Sequence, residues 1–175
     1  MLRENSDPGH LTHAMDKKFK DQLTRFIDGR TCVLGIGNRA WHDDGVGSLL
    51  AEALKSSTGL DVIDAGFIPE NYLETVARTI PDTILMVDAT DFGGKPGQAR
   101  LLYPTKVAYS SLSTHAGSLR MLSEYLYART GAKIAILAVQ PADTAAGEGL
   151  SLNVSNTLNE LVKLLHNLCR PVASV

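Results

Sequence analysis

Cys32-Val33-Leu34-Gly35-Ile36-Gly37-Asn38-Arg39-Ala40-Trp41-His42-Asp43-Asp44-Gly45 runs from an apolar segment into a glycine-rich turn that carries two aspartates. The apolar part reads as a first β-strand, from about Thr31 to Ile36. A parallel strand that ends in glycines ordinarily offers backbone N–H groups to a phosphate. Two carboxylates in that position reverse the electrostatics and favour a cation, so the turn points to a metal or acid–base site. Gly35, Gly37 and Ala40 do spell G-x-G-x-x-A. A dinucleotide-binding helix should begin inside that motif, however, whereas Trp41-His42-Asp43-Asp44 intervenes and would repel a pyrophosphate.

Outward from this turn, strands and helices alternate. Upstream, Phe19, Leu23, Phe26 and Ile27 recur at helical spacing and predict an amphipathic helix over Met15 to Ile27. Downstream, Val46, Leu49, Leu50 and Leu54 mark a second helix, and Asp61 to Asp64 a short second strand. Pro69 opens a helix with Tyr72, Leu73, Val76 and Ile80 on its apolar side. Thr83 to Val87 is continuously apolar, as expected of a strand covered on both faces. Weaker evidence places a strand near Ala99 to Leu102, after the Gly/Pro-rich stretch Gly93 to Gly97. Leu119, Leu122 and Leu126 predict a helix, Ile134 to Val139 a fifth strand, and Ser151 the cap of a last helix. That helix would bury Val154, Leu158, Leu161, Val162 and Leu165. The alternation predicts an α/β fold with a mostly parallel sheet. Residues 1–14 are expected to be loosely ordered, 15–168 to form one domain with an N-terminal accessory helix, and 169–175 a tail.

Composition narrows the function. With 175 residues, 44% hydrophobic and 21% charged, the chain is an ordinary globular domain rather than a disordered segment. A net charge of −2 and no long basic stretch argue against nucleic acid. No apolar run approaches the roughly 20 residues of a membrane span, and none forms the core of a signal peptide. Two cysteines, Cys32 and Cys169, are too few for a disulfide framework or a Cys-rich zinc site, and Cys32 reads as a small core residue. The expectation is a cytoplasmic protein with no membrane partner. No G-x-S-x-G elbow, H-E-x-x-H helix or G-K-[ST] loop is present.

In open α/β sheets, ligands bind outside the carboxyl ends of the strands. Asp44 follows strand one, Asp64 ends strand two, Asp88 ends strand three, His115 follows strand four, and Gln140 follows strand five. If the strands are parallel, these residues share one edge and form a cluster of carboxylates with an imidazole. Plainer roles stand beside this one. Asp43 serves equally as a helix cap, Asp44 as a first-turn acid, Asp64 as a loop anchor and His42 as a solvent-facing loop residue. His115 lies before a helix N-terminus, which disfavours imidazolium and keeps the ring in its metal-binding form.

These residues resemble the NiFe-hydrogenase maturation endopeptidases. Gly35-Ile36-Gly37-Asn38 with Asp43-Asp44-Gly45-Val46-Gly47 is similar to the family's opening motif. Asp64-Ala65-Gly66, Pro69-Glu70-Asn71, Val87-Asp88-Ala89-Thr90-Asp91, Pro96-Gly97, Ser113-Thr114-His115 and Gln140-Pro141 follow in its order. The likeness runs from about Thr31 to Leu168 and is greatest to the branch that serves hydrogen-evolving, formate-hydrogenlyase-type hydrogenases. It implies a three-layer α/β/α sandwich around a twisted, mostly parallel five-stranded sheet. It also implies one reaction: removal of a C-terminal peptide from the hydrogenase large-subunit precursor after nickel insertion.

Carried over residue by residue, the likeness makes Asp44, Asp88 and His115 the catalytic, metal-contacting set, with Asp64, His42 and Gln140 at its border. It implies that nickel arrives with the precursor's cysteines, without a tightly bound organic cofactor. Two departures stand out: His42 where the family usually has glycine, and an N-terminal extension that either packs on the sheet or docks a partner. Water activation by Asp44 or Asp88 and carbonyl polarisation by the metal both remain open. So do two other functions, a non-cleaving metal-sensing docking protein and a small-molecule metallohydrolase.

Overall fold

The computed structural model describes residues 15–56, 59–104 and 116–168. Its sheet has five strands: β1 (Thr31–Ile36), β2 (Leu60–Gly66), β3 (Thr83–Ala89), β4 (Ala99–Leu102) and β5 (Lys133–Val139). Their order is β2-β1-β3-β5-β4. The first four in that order run parallel, and β4 closes the far edge in the opposite sense. Among the described residues, five α-helices cover the sheet: α1 (Lys17–Phe26), α2 (Val46–Leu54), α3 (Leu73–Arg78), α4 (Ala116–Thr130) and α5 (Leu152–Leu168).

Side-chain alternation along each strand builds the layers. Cys32, Leu34, Ile84, Met86 and Ile136 share one core with Val76, Leu119 and Leu126 of α3 and α4. Val33, Leu85, Leu137 and Val139 share the other with Leu23 of α1, Leu50 and Leu54 of α2 and Leu161 of α5. The central strands are therefore apolar on both faces, which is why they read as unbroken runs. The accessory helix α1 is capped by Asp16, which accepts from the Phe19 N–H at 2.7 Å, and it buries Phe19, Leu23 and Phe26. It packs as part of the core. Cys32 is fully buried, and burial pushes its thiol up to about 12, as suits a core residue. Cys169 and the segments expected to be loose at both ends lie outside the described residues.

Three expectations need correction. The helix expected from Pro69 is a 3-10 turn, Pro69–Tyr72, followed by the short α3. Ile80 is 76% exposed with φ of 49°, so it is no part of a buried face. Pro81 explains the early stop, because the residue before a proline is pushed out of the helical region. Ser151 does precede α5, and its carbonyl accepts from Ser155, but its hydroxyl donates to Asp43 at 2.9 Å. The third concerns β4. Ala99 pairs with Val139 and Leu102 with Ile136, so β4 starts at the carboxyl edge and runs towards the amino edge, ending halfway along β5. Following β4 therefore does not by itself bring a residue to the carboxyl edge. Helix α4 does lead there: it returns through Gly131 and Ala132 to the amino end of β5, so its first turn faces the opposite edge.

Helix α2 lies against the sheet through glycines. A Cβ on Gly35 would stand 2.2 Å from the Gly47 carbonyl oxygen, and one on Gly47 would stand 2.2 Å from that of Val87 and 2.3 Å from that of Ile36. Alanine ordinarily gains about 1 kcal/mol over glycine inside a helix. Here the clash with two backbone carbonyls outweighs that gain. Gly47→Ala should cost roughly 2 kcal/mol and lower the melting temperature by roughly 4–8 °C, as differential scanning calorimetry would show.

Candidate active site

β1 lies between β2 and β3, so the chain's path from β1 turns one way to β2 and then back to β3 on the other side. That reversal opens a crevice at the carboxyl ends of β1 and β3. The turn carrying Asp43 and Asp44 fills one side of it, and Asp88 ends β3 on the other.

Asp44 closes its own turn, its Oδ2 accepting from the Asn38 N–H at 2.7 Å. The Asn38 side chain in turn accepts from Ala40, and Asp44 N–H donates to the Trp41 carbonyl. Among the described residues, no donor reaches Asp44 Oδ1. Asp88 is 1% exposed and accepts from the Thr90 hydroxyl at 3.0 Å. Burial pushes its carboxyl up to about 7, and the charge of Asp44 pushes the same way. The Thr90 hydroxyl and the Ala89 N–H act against both. Asp44 and Asp88 thus sense one another electrostatically, and the proton affinity of Asp88 is raised well above that of an ordinary carboxyl. His115 lies outside the described residues. Among those described, no group of three His, Cys, Asp or Glu residues is placed to hold a metal.

The border residues divide by partner. Asp64 accepts from Arg39 at 2.7 Å and from the Gly66 N–H at 3.2 Å. Arg39 also bonds Ser48 and Glu52, and so ties the turn to α2 and β2. Asp64 is therefore ion-paired. Beside it lies a cavity of about 380 Å³, lined by Asn38, Arg39, Asp64, Phe67, Asn71 and Tyr72 among others. Gln140 is buried, with Oε1 accepting from Phe92 and Gly94 and Nε2 donating to Asp91, so it shapes the loop after Asp88. Gly93 N–H and that amide hold the Asp91 carboxyl below its ordinary range. His42 adopts φ of 40°, a left-handed conformation that favours the glycine the family usually carries there. Its Nδ1 lies 3.1 Å from the Gly149 carbonyl oxygen, and its ring rests over Gly147, directed at a neighbouring loop.

Asp43 corrects an expectation. It caps no helix; its fully buried carboxylate accepts from Ala142, Asp143 and Ser151 on the loop between β5 and α5. Neither this role nor the Arg39 clamp has a local sequence signal, since the partners lie 9 to 108 positions away.

The family profile described as hydrogenase maturation protease matches residues 45–168 of this chain. The chain belongs to the hydrogenase maturation proteases. The hydrogenase 3 maturation protease of Escherichia coli K12 is 37% identical over 112 residues, 62% of this chain and 71% of that protein. A crystal structure of the NiFe-hydrogenase maturation protease HycI from Thermococcus kodakarensis superposes with a TM-score of 0.79 at 30% identity, covering 86% of this chain and 99% of that one. The solution structure of the E. coli endopeptidase HycI gives 0.70 at 27%, with 79% and 90% covered. This maturation protease is thus a peptidase by family, on the five-stranded, mostly parallel fold of its relatives.

The raised Asp88 carboxyl has a measurable consequence. The unfolded chain releases that proton near ~3.9, the native protein near 7. Between those values the native state binds more protons, so its stability falls as pH rises through the window. Asp88→Asn should therefore melt higher than the wild type at pH 8, by an amount that shrinks towards zero near pH 4. Melting curves with the same pH dependence in both proteins would contradict the burial argument.

Proposed function

We propose that this protease removes a C-terminal peptide from the large-subunit precursor of a NiFe-hydrogenase after nickel insertion. In this reading Asp44, Asp88 and His115 contact the nickel that the precursor carries, and the metal belongs to the substrate. The observation that carries it is the pairing of Asp44 with the buried Asp88 at the switch point of the sheet. Further support comes from His115 standing one residue before α4, whose first turn faces the carboxyl edge. The relatives' names, a hydrogenase 3 maturation protease and a NiFe-hydrogenase maturation protease, agree with it.

Chemically, two carboxylates and an imidazole offer an open oxygen and nitrogen set without thiolates, suited to a metal already held elsewhere by sulfur. Asp88 would give up its proton to solvent as the cation arrives, and one carboxylate would then take a proton from the attacking water and pass it to the leaving amine as the peptide bond breaks. The cavity next to Asp64 lies beside the turn that carries Asp44, and its apolar wall of Phe67 and Tyr72 offers a path for the peptide leading to that bond. A cytoplasmic site of action belongs to the same proposal.

The test incubates the protein with nickel-loaded and nickel-free precursor and weighs the products. Cleavage should require nickel in the precursor and survive chelator treatment of the protease alone. Asp44→Ala, Asp88→Ala and His115→Ala should each lower processing by roughly a hundredfold or more. Cleavage of nickel-free precursor, lost when the protease is stripped of metal, would make it an ordinary metalloprotease. An unchanged precursor mass under every condition would favour a docking protein that senses the metal without cutting.

A further inference from the structure

The buried Asp43 takes no part in the site as assigned so far, yet its carboxylate accepts four hydrogen bonds. Its Oδ1 accepts from the Ser151 N–H at 2.7 Å. Its Oδ2 accepts from the N–H groups of Ala142 at 2.8 Å and Asp143 at 3.1 Å, and from the Ser151 hydroxyl at 2.9 Å. Four donors, three of them backbone groups, satisfy a carboxylate with no exposed surface.

The backbone of the same turn is joined to the same loop. Asp43 N–H donates to the Asp143 carbonyl at 3.0 Å, and His42 N–H to that of Gly147 at 2.8 Å. Gly147 N–H returns a bond to Ala40 at 2.8 Å, giving a short parallel bridge between Trp41 and Gly147. Between these contacts stands His42, a non-glycine residue with φ of 40°. Such a conformation persists only where its surroundings over-determine it. The loop supplies that constraint.

Asp43 and Asp44 sit in one 3-10 turn, His42–Gly45. Successive residues of such a turn point about 120° apart, so one carboxylate faces the loop while the other faces the crevice. We propose that Asp43 is a positioning residue: its carboxylate clamps the 142–151 loop onto the turn and fixes where Asp44 stands relative to Asp88. This rests on the reading of Asp44 as a substrate-contacting group.

The experiment measures kcat and KM with nickel-loaded precursor for the wild type, Asp43→Asn, Ser151→Ala, Ser151→Thr and Asp44→Ala. Asparagine fails at position 43 because either orientation of its amide sets an NH2 group against an N–H donor. Asp43→Asn should lower kcat by about tenfold or more while KM stays within about threefold, since small misplacements of a reacting group cost rate before affinity. Ser151→Ala removes one donor and should lower kcat by about threefold; Ser151→Thr, which keeps the hydroxyl, should restore it. A folded Asp43→Asn with kcat within about twofold of the wild type, or with a loss in KM alone, would overturn the positioning role. Should Asp43→Asn not fold, the Ser151 pair decides, and equal kcat in Ser151→Ala and Ser151→Thr overturns it. Full processing by Asp44→Ala would instead overturn the reading of the site on which this one rests.

Discussion

The contact between Gly47 and the sheet governs this molecule more than any other. With no Cβ at Gly35 or Gly47, the first turn of α2 presses onto the carbonyls of Ile36 and Val87, closer than any side chain would allow. Because Ile36 ends β1 and Val87 precedes Asp88, that seat draws the acidic turn over the crevice between the two strands. Gly37 repeats the logic one step earlier: with φ of 139°, it passes where a Cβ would lie 1.8 Å from the Asp44 carbonyl oxygen. Three glycines thus do for a carboxylate site what similar glycines do for phosphate in dinucleotide-binding folds, where close backbone approach is again the aim. The fold geometry is shared; the charge placed in it is opposite.

Close approach has an electrostatic cost. Asp88 is delivered by an apolar strand into a nearly waterless position, and desolvation is the largest influence on its proton affinity. Two nearby polar groups, the Thr90 hydroxyl and the Ala89 N–H, offset part of this, and Asp44 adds repulsion. Asp64 and Asp43 escape the problem in different ways. Asp64 takes a guanidinium partner, and Asp43 takes four N–H and O–H donors. Of these four aspartates, Asp44 and Asp88 have neither a guanidinium nor a full set of donors among the described residues. Under the proposed function, such a pair at a strand-end crevice is the part of the site that a cation would face.

Much of this was legible in the residues. The strands β1, β3 and β5 announce themselves as apolar runs because both their faces are covered, and the strand ends then nominate Asp44 and Asp88. The direction of β4 was not legible, since four residues carry no mark of parallel or antiparallel pairing and the sense follows from the loops around them. The short α3 hid behind its apolar spacing, although Pro81 carried the signal for its end. Asp43 and Arg39 were misjudged or missed for one common reason. Their partners, Ser151 for one and Asp64 for the other, are set by tertiary contact, and propensity or capping rules see only neighbours in sequence. His42 is the converse case: its departure from the family's glycine was visible, and the structure supplies the left-handed φ that explains why glycine suits the position.

Under the proposed function, the same electrostatics separate the free protease from the one that has met its substrate. A lone divalent ion would have to hold the Asp44–Asp88 pair ionised against desolvation, with few other ligands to complete its sphere among the described residues. Nickel already bound by the thiolates of a precursor has most of its coordination in place, and it needs from the protease only one or two hard donors to be recognised. Burial of Asp88, which raises its proton affinity, sets a cost on ionising the pair that a bound metal must offset. A metal fixed in a folded partner would bring that partner's own contacts to help offset it. Discrimination between loaded and empty precursor would follow from the burial of one carboxylate, and it would fail if Asp88 stood in water, where its proton would already be gone.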